Sequence, residues 1–122
     1  MNHTKLSSAR VRQILAGASR TRILVISDAM LDHFIRGSVA RISPEAPVPV
    51  LDFEGESFMP GGAANVARNL TALRVPTELL GAVGRDTAAR QLKVLLHDYA
   101  IGCRGLLSER NRWNRMTAAI AG

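Results

Sequence analysis

A single cysteine, Cys103, stands in a chain of 122 residues. No internal disulfide framework is possible, and a reducing, cytoplasmic compartment is expected. Aromatic residues are nearly as scarce, with three Phe, one Trp and one Tyr, so a core has to be built from aliphatic side chains. No apolar run approaches the roughly 20 residues that cross a bilayer. The first residues lack the contiguous apolar stretch of a secretory signal. Acids are missing before residue 23, where Lys5, Arg10, Arg12, Arg20 and Arg22 lie. His3, His33 and His97 do not have the spacing of metal ligands. Neither a G-x-G-x-x-G loop nor a Gly-Lys-Ser/Thr phosphate loop occurs.

What is present is ordinary for one small globular domain. The hydrophobic fraction is 47% and the net charge +6. Eleven basic and ten acidic residues nearly balance after residue 22, so the excess charge belongs to the N-terminal segment. A basic helix there has two readings, a solvated face or an anionic partner. No aromatic is interleaved with its charges, which argues against single-stranded nucleic acid. No nucleic-acid or membrane partner is expected.

Along the chain, "KLSSARVRQILAG" (5–17) carries a partial apolar stripe of Leu6, Val11, Ile14 and Leu15, and Gly17 is a plausible helix stop. "RILVIS" (22–27) is a β-branched run that predicts a buried, central parallel strand. "PEAPVPVLDF" (44–53) holds three prolines, which predicts an exposed or edge strand over 47–53. A helix is expected from Asn65, with Val66, Leu70 and Leu73 on one face and Pro76 closing the segment. "TELLGAVG" (77–84) predicts a second buried strand, and Asp86 caps a helix over 87–99 that buries Leu92, Leu95, Leu96 and Tyr99. "GLL" (105–107) starts a third strand, whereas "SERNRWNRMTAAIAG" (108–122) shows no strand pattern. Alternating strands and helices predict an α/β fold with a parallel sheet. Strands 22–27 and 78–83 are expected to be parallel and adjacent or nearly so.

Chemistry concentrates in two places. "FMPGGAANVARNL" (58–70) puts Gly61, Gly62 and two alanines before a helix, with one amide, Asn65, among them. Small residues at a strand-to-helix junction let a ligand approach the backbone, and a helix N-terminus offers free N–H groups and partial positive charge. Asn65 would donate to and accept from a hydroxyl-rich ligand. A tight turn with close helix packing explains the same residues. Asp28 and Asp32 follow the first strand, at the end where ligands of open α/β sheets gather. Asp28 suits a turn and Asp32 a polyol contact. Beside Asp32, His33 suits a structural role better than a substrate contact. Trp113, among Arg110, Arg112 and Arg115, offers a stacking surface, but in a segment without a clear pattern.

Three blocks, "DAMLDHF", "RISPEAPVPV" and "PGGAANVARNL", resemble the N-terminal part of ribokinase-type (PfkB) carbohydrate kinases. The middle block most resembles the branch that phosphorylates heptose 7-phosphate in ADP-heptose and lipopolysaccharide core synthesis. The resemblance covers roughly residues 22–107. It implies a partial ribokinase-like fold, with a parallel sheet, flanking helices and a small β-lid over 34–53 that projects as antiparallel strands. Val48, Val50 and Phe53 are candidates for an exposed apolar face on that lid. Asp32, Gly61, Gly62 and Asn65 match positions that hold the sugar. The lid implies closure over substrate and a homodimer contact. Two positions depart from the pattern: Ser27, where a glycine commonly precedes the aspartate, and Arg74, where Gly or Ser is usual, which puts the turn after the helix in question.

The resemblance also implies ATP and Mg²⁺ for the parent family, with a catalytic Asp in a downstream glycine-rich motif. No such motif occurs here, so no catalytic residue is assigned and neither cofactor is expected to bind this chain well. The expected organisation is a basic helix over 1–21, a kinase part over 22–107 and an irregular tail over 108–122 from truncation or a shifted frame. The function implied is that of a truncated sugar kinase acting on a phosphorylated sugar. Another ribokinase-like sugar kinase fragment, a non-catalytic sugar-binding or lid-dimerising module, and a basic nucleic-acid binder are the alternatives.

Overall fold

The computed structural model describes residues 6–121. The order of elements is α1 (Ser8–Ala18), β1 (Ile23–Ile26), β2 (Ala29–Ile42), β3 (Pro49–Gly62), α2 (Ala63–Ala72), β4 (Thr77–Val83), α3 (Thr87–Asp98), β5 (Gly102–Ser108) and β6 (Arg115–Ala121). Two three-stranded sheets result, one ordered β1-β4-β5 and the other β3-β2-β6.

The first sheet is wholly parallel, with Ile23 opposite Thr77 and Ile26 opposite Leu80. The expected pairing of β1 with β4 is therefore present. β1, however, is an edge strand and not a central one. Leu79, Val83, Leu92, Leu96 and Ile101 are buried together with Ala63, Ala64 and Ala67. In α2 the buried stripe is thus alanine, and Val66 and Leu73, two residues of the apolar face read from the sequence, are about half exposed. Alanine lets the helix approach the sheet closely, so the turn-and-packing reading of "GGAAN" holds for its alanines. α3 buries Ala89, Leu92 and Leu96, with Leu95 and Tyr99 packed beside them, as its spacing predicts. Asp86 is its N-cap, accepting from the Ala89 N–H at 2.7 Å. α1 buries no residue, and Leu6, Val11, Ile14 and Leu15 stay exposed.

Both core helices end in the same way. Val75 N–H donates to Leu70 O and Arg74 N–H to Thr71 O; Ile101 N–H donates to Leu96 O and Ala100 N–H to His97 O. These are Schellman closures, in which the residue after the cap takes a left-handed conformation. Arg74 (φ 62°) and Ala100 (φ 55°) occupy those positions. The turn therefore forms with Arg74 in place of a glycine, at a conformational cost. Arg74→Gly and Ala100→Gly are each expected to stabilise the chain by about 0.5–1 kcal/mol, because relief of left-handed strain exceeds the added freedom of the unfolded chain. Urea unfolding midpoints read the effect.

The second sheet is a long antiparallel hairpin, β2 with β3, extended by β6 running parallel to β2. Pro49 and Pro60 are tolerated because β3 is at the edge. The hairpin is longer than residues 34–53 and reaches Ala29 and Gly62 at its base. Register shifts fall between Arg36 and Gly37 and between Val39 and Arg41. Such bulges alter the alternation of faces. Gly37 pairs with Phe53 and Val39 with Leu51, and Phe53 and Val39 are exposed, as is Val48 just before β3, while Val50 is only partly exposed. β6 forms where the sequence shows no strand period.

Candidate functional site

The hairpin base, the end of β1 and the start of α2 meet at one place. Ala29 pairs with Gly62 and Met30 with Gly61. The Ala63 N–H donates to the Asp28 carbonyl at 3.1 Å, which ties the start of α2 to the chain leaving β1. Asp28 is thus a junction residue, as expected, and its carboxylate also accepts from the Arg112 guanidinium at 2.6 Å.

Asp32 is the fourth residue of β2, opposite Met59. A Cβ placed on Gly61 would run into its carboxylate, with Cγ only 2.7 Å away. The glycine therefore makes room for the acid. Gly62 has φ 56° and ψ −130°, a conformation open to glycine and strained for other residues. A methyl group there would meet Met30 Cε at 2.8 Å and the Asp28 carbonyl at 2.9 Å. Gly62 is also the N-cap of α2, and no side chain caps that helix. Its first turn presents backbone N–H groups and the exposed side chain of Asn65. The structure thus sets Asp32 against Gly61, and places Gly62 and Asn65 at the adjoining helix start.

His33 points away from this arrangement, since successive strand residues face opposite sides. Its Nε2 is 2.7 Å from Glu56 Oε2, and its ring stacks on Phe58 with centroids 4.4 Å apart. That is a structural role. Glu56 as its partner was not legible in the sequence, because cross-strand register decides it. Also unforeseen were Arg112 as partner of Asp28 and a second bond to Asp86, whose Oδ2 accepts from the Asn114 N–H at 2.6 Å. Burial acts to raise the Asp86 pKa, but backbone N–H donors from Asn114 and Ala89, with Arg90 nearby, outweigh it and hold the carboxyl below its usual range. Burial and the nearby Glu78 carboxylate push the Cys103 thiol up, which disfavours the reactive thiolate.

Trp113 is exposed beside Arg85, Arg110 and Arg112. Cavities of about 450 Å³, between α1 and the end of α2, and 360 Å³, at the amino ends of β1 and β4, lie away from Asp32. The carboxyl ends of the strands are where ligands of open α/β sheets bind, and the Asp32 arrangement is at that end. Among the described residues, no three His, Cys, Asp or Glu side chains gather to hold a metal ion. Among the described residues too, no helix is long and apolar enough to cross a membrane.

Residues 20–120 match the model of the pfkB family of carbohydrate kinases, and the chain belongs to that family. The match runs through the segment after residue 107. The chain is 56% identical over 85 residues to the bifunctional protein HldE of Hyphomonas neptunium, which covers 70% of this chain and 18% of that protein. It is 48% identical over 91 residues to HldE of Histophilus somni, 75% of this chain and 19% of that one. The chain therefore spans under a fifth of the length of these curated relatives. Among solved structures, Escherichia coli phosphofructokinase-2 in complex with substrates and products is similar, with a TM-score of 0.66 and 24% identity over 82% of this chain and 31% of that one. A carbohydrate kinase from Agrobacterium tumefaciens gives a TM-score of 0.65 at 20% identity, over 81% of this chain and 31% of that one. At these identities the likeness is one of fold, and it is ribokinase-like. The family implies ATP and Mg²⁺ as the parent enzymes' cofactors.

Proposed function

We propose that this chain carries the acceptor-sugar part of a carbohydrate kinase whose parent activity phosphorylates the anomeric hydroxyl of D-glycero-D-manno-heptose 7-phosphate from ATP. One observation carries the reading: the Asp32 carboxylate against Gly61, at the uncapped start of α2. A carboxylate accepts hydrogen bonds from two neighbouring hydroxyls, and the Asn65 amide both donates and accepts. The resemblance of "RISPEAPVPV" to the heptose 7-phosphate branch supports heptose over other sugars, beside identity to HldE over the matched segment.

A base within reach of the acceptor hydroxyl and positioned charge at the γ-phosphate are both needed for turnover. Asp32 in this reading holds sugar, and both of those parts belong to the downstream portion of the parent kinase. The purified chain is therefore expected to show no ATP-dependent phosphorylation of heptose 7-phosphate. It binds that sugar at roughly millimolar Kd, since each hydrogen bond nets only about 0.5–1.5 kcal/mol. Asp32→Ala is expected to weaken binding by about 10–100-fold, as a charged acceptor is worth about 1.5–3 kcal/mol. Calorimetric titration and a coupled assay measure the two. Turnover that disappears in Asp32→Ala, or sugar binding that the substitution leaves unchanged, would overturn the reading.

The hairpin adds a second element to it. Val39, Ile42 and Phe53 are more than half exposed, and exposed apolar patches mark partner surfaces. We read this as the contact of a homodimer. Light scattering is expected to show a dimer that Phe53→Lys dissociates.

A further inference from the structure

Trp113 is the one tryptophan of the chain, and it is 84% exposed. With Arg85, Asp86, Arg110 and Arg112 it lines a cavity of about 210 Å³. Two segments supply these residues. Arg85 and Asp86 lie between β4 and α3, and the other three lie between β5 and β6. The segments are held together at both ends. The Glu109 N–H donates to the Val83 carbonyl at 3.0 Å, and the Asn114 N–H donates to Asp86 Oδ2 at 2.6 Å. Between these bonds, a Cβ on Gly84 would run into the Arg112 carbonyl, so the glycine lets the two segments lie against each other. The span from Arg110 to Trp113 is thus fixed beside Arg85.

The charge of the cavity is one-sided. Asp86 is the one acid of its lining, and its two oxygens accept from the Ala89 and Asn114 N–H groups. That cap also occupies the start of α3, so side chains and not helix N–H groups face a ligand. Arg112 is paired with Asp28 at 2.6 Å. The exposed side chains of Arg85 and Arg110 make no hydrogen bond or ion pair among the described residues. Cations that line one cleft hold a positive field there and concentrate anions. Guanidinium forks match phosphate oxygens in pairs.

We propose that this cavity binds a nucleoside monophosphate, with its phosphate on Arg85 and Arg110 and its base stacked on the indole of Trp113. The arginines select the anion, and the bare indole selects a ligand with a flat ring. Trp113 is the one aromatic of the lining, which suits a single base and not a strand. With Asp86 committed, the lining offers no second carboxylate for a metal ion, which favours a monophosphate over a metal-bound triphosphate. The cavity lies past the carboxyl ends of β4 and β5, where ligands of open α/β sheets gather. It shares no residue with the arrangement of Asp32, Gly61, Gly62 and Asn65, and the inference does not rest on the sugar reading.

Trp113 is the chain's single indole, so its fluorescence reads the cavity directly. Titration of the full 122-residue chain with AMP is expected to quench it saturably, with a Kd below about 1 mM that calorimetry reproduces. Ribose 5-phosphate, which lacks the base, is expected to bind about tenfold more weakly or worse. Arg85→Gln together with Arg110→Gln should weaken AMP binding by about tenfold or more. Its thermal melt should match the wild type, since both side chains are exposed. Trp113→Leu, read by calorimetry, should bind AMP no better than ribose 5-phosphate. Asp32→Ala should leave AMP binding unchanged, so a failure of the sugar reading is separately visible. No saturable quenching, or AMP binding that the arginine pair or Trp113→Leu leaves intact, overturns the proposal. Equal affinity for ribose 5-phosphate would reduce the cavity to a phosphate seat and also overturn it. So would displacement of AMP by heptose 7-phosphate, which would give the cavity to the sugar.

Discussion

Gly62→Ala is expected to lower the unfolding free energy by about 3 kcal/mol, and the midpoint of thermal unfolding by about 10 °C. Two effects add. The backbone at φ 56° and ψ −130° is strained for any residue with a Cβ, at about 1–3 kcal/mol. The new methyl also has no space, because Met30 Cε and the Asp28 carbonyl would lie within 3 Å. Met30 is flexible and gives way, but the Asp28 carbonyl is backbone and holds the Ala63 N–H. The substitution is therefore expected to shift the start of α2 and, with it, Asn65. Sugar binding should fall along with stability. Gly17→Ala is the control: nothing lies within 4 Å of its Cβ position, in the last turn of α1, so it should be neutral or mildly stabilising. Circular dichroism melts compare the two. A Gly62→Ala chain that melts with the wild type would show that this junction is not held as described.

Asp86→Ala has the second large effect. The side chain caps α3 through the Ala89 N–H and, through its other oxygen, holds the Asn114 N–H. Loss of a cap costs about 0.5–2 kcal/mol. A buried donor left without its acceptor costs about 1–3 kcal/mol, and Asn114 is 8% exposed. The expected loss is about 2–4 kcal/mol, with the segment leading into β6 loosened first. Hydrogen exchange at Asn114 and in β6 should rise more than in β4. The pH dependence has a definite sign. The Asp86 pKa is lowered on folding, so its contribution is complete above the ordinary carboxylate value near 3.8 and is lost as pH falls through the lower folded value. Wild-type stability should therefore drop below about pH 4 more steeply than that of Asp86→Ala.

Much of the fold was legible because its signals are local. β1 and β4 announce themselves as apolar runs, α3 by its leucine spacing, and its start by Asp86, all of which depend only on neighbours in sequence. The candidate site residues were legible as residue types: glycines before a helix, an amide among them, and an acid after a strand. Their meeting was not, since Asp32 and Gly61 are brought together by hairpin register, which local pattern does not encode. The stripe on α2 was misread because alanine contributes little to a hydrophobic pattern, although close helix–sheet packing favours it. β6 was missed because a strand laid parallel to β2 is held by pairing, and its own residues need show no alternation.

The sequence by itself determined the elements, the family blocks and the chemistry available: one acid, one amide and two glycines suited to a polyol. Only the tertiary structure decided that Gly61 yields its space to the Asp32 carboxylate, that His33 turns to Glu56 and Phe58, and that Asp86 joins α3 to the segment before β6. It also decided that β1, with residues fit for a central strand, lies at an edge with one apolar face open. The physical reason is the same throughout. Propensity, capping and periodicity act between residues a few positions apart, while register, strand order and the covering of a sheet face depend on which distant segments arrive beside one another.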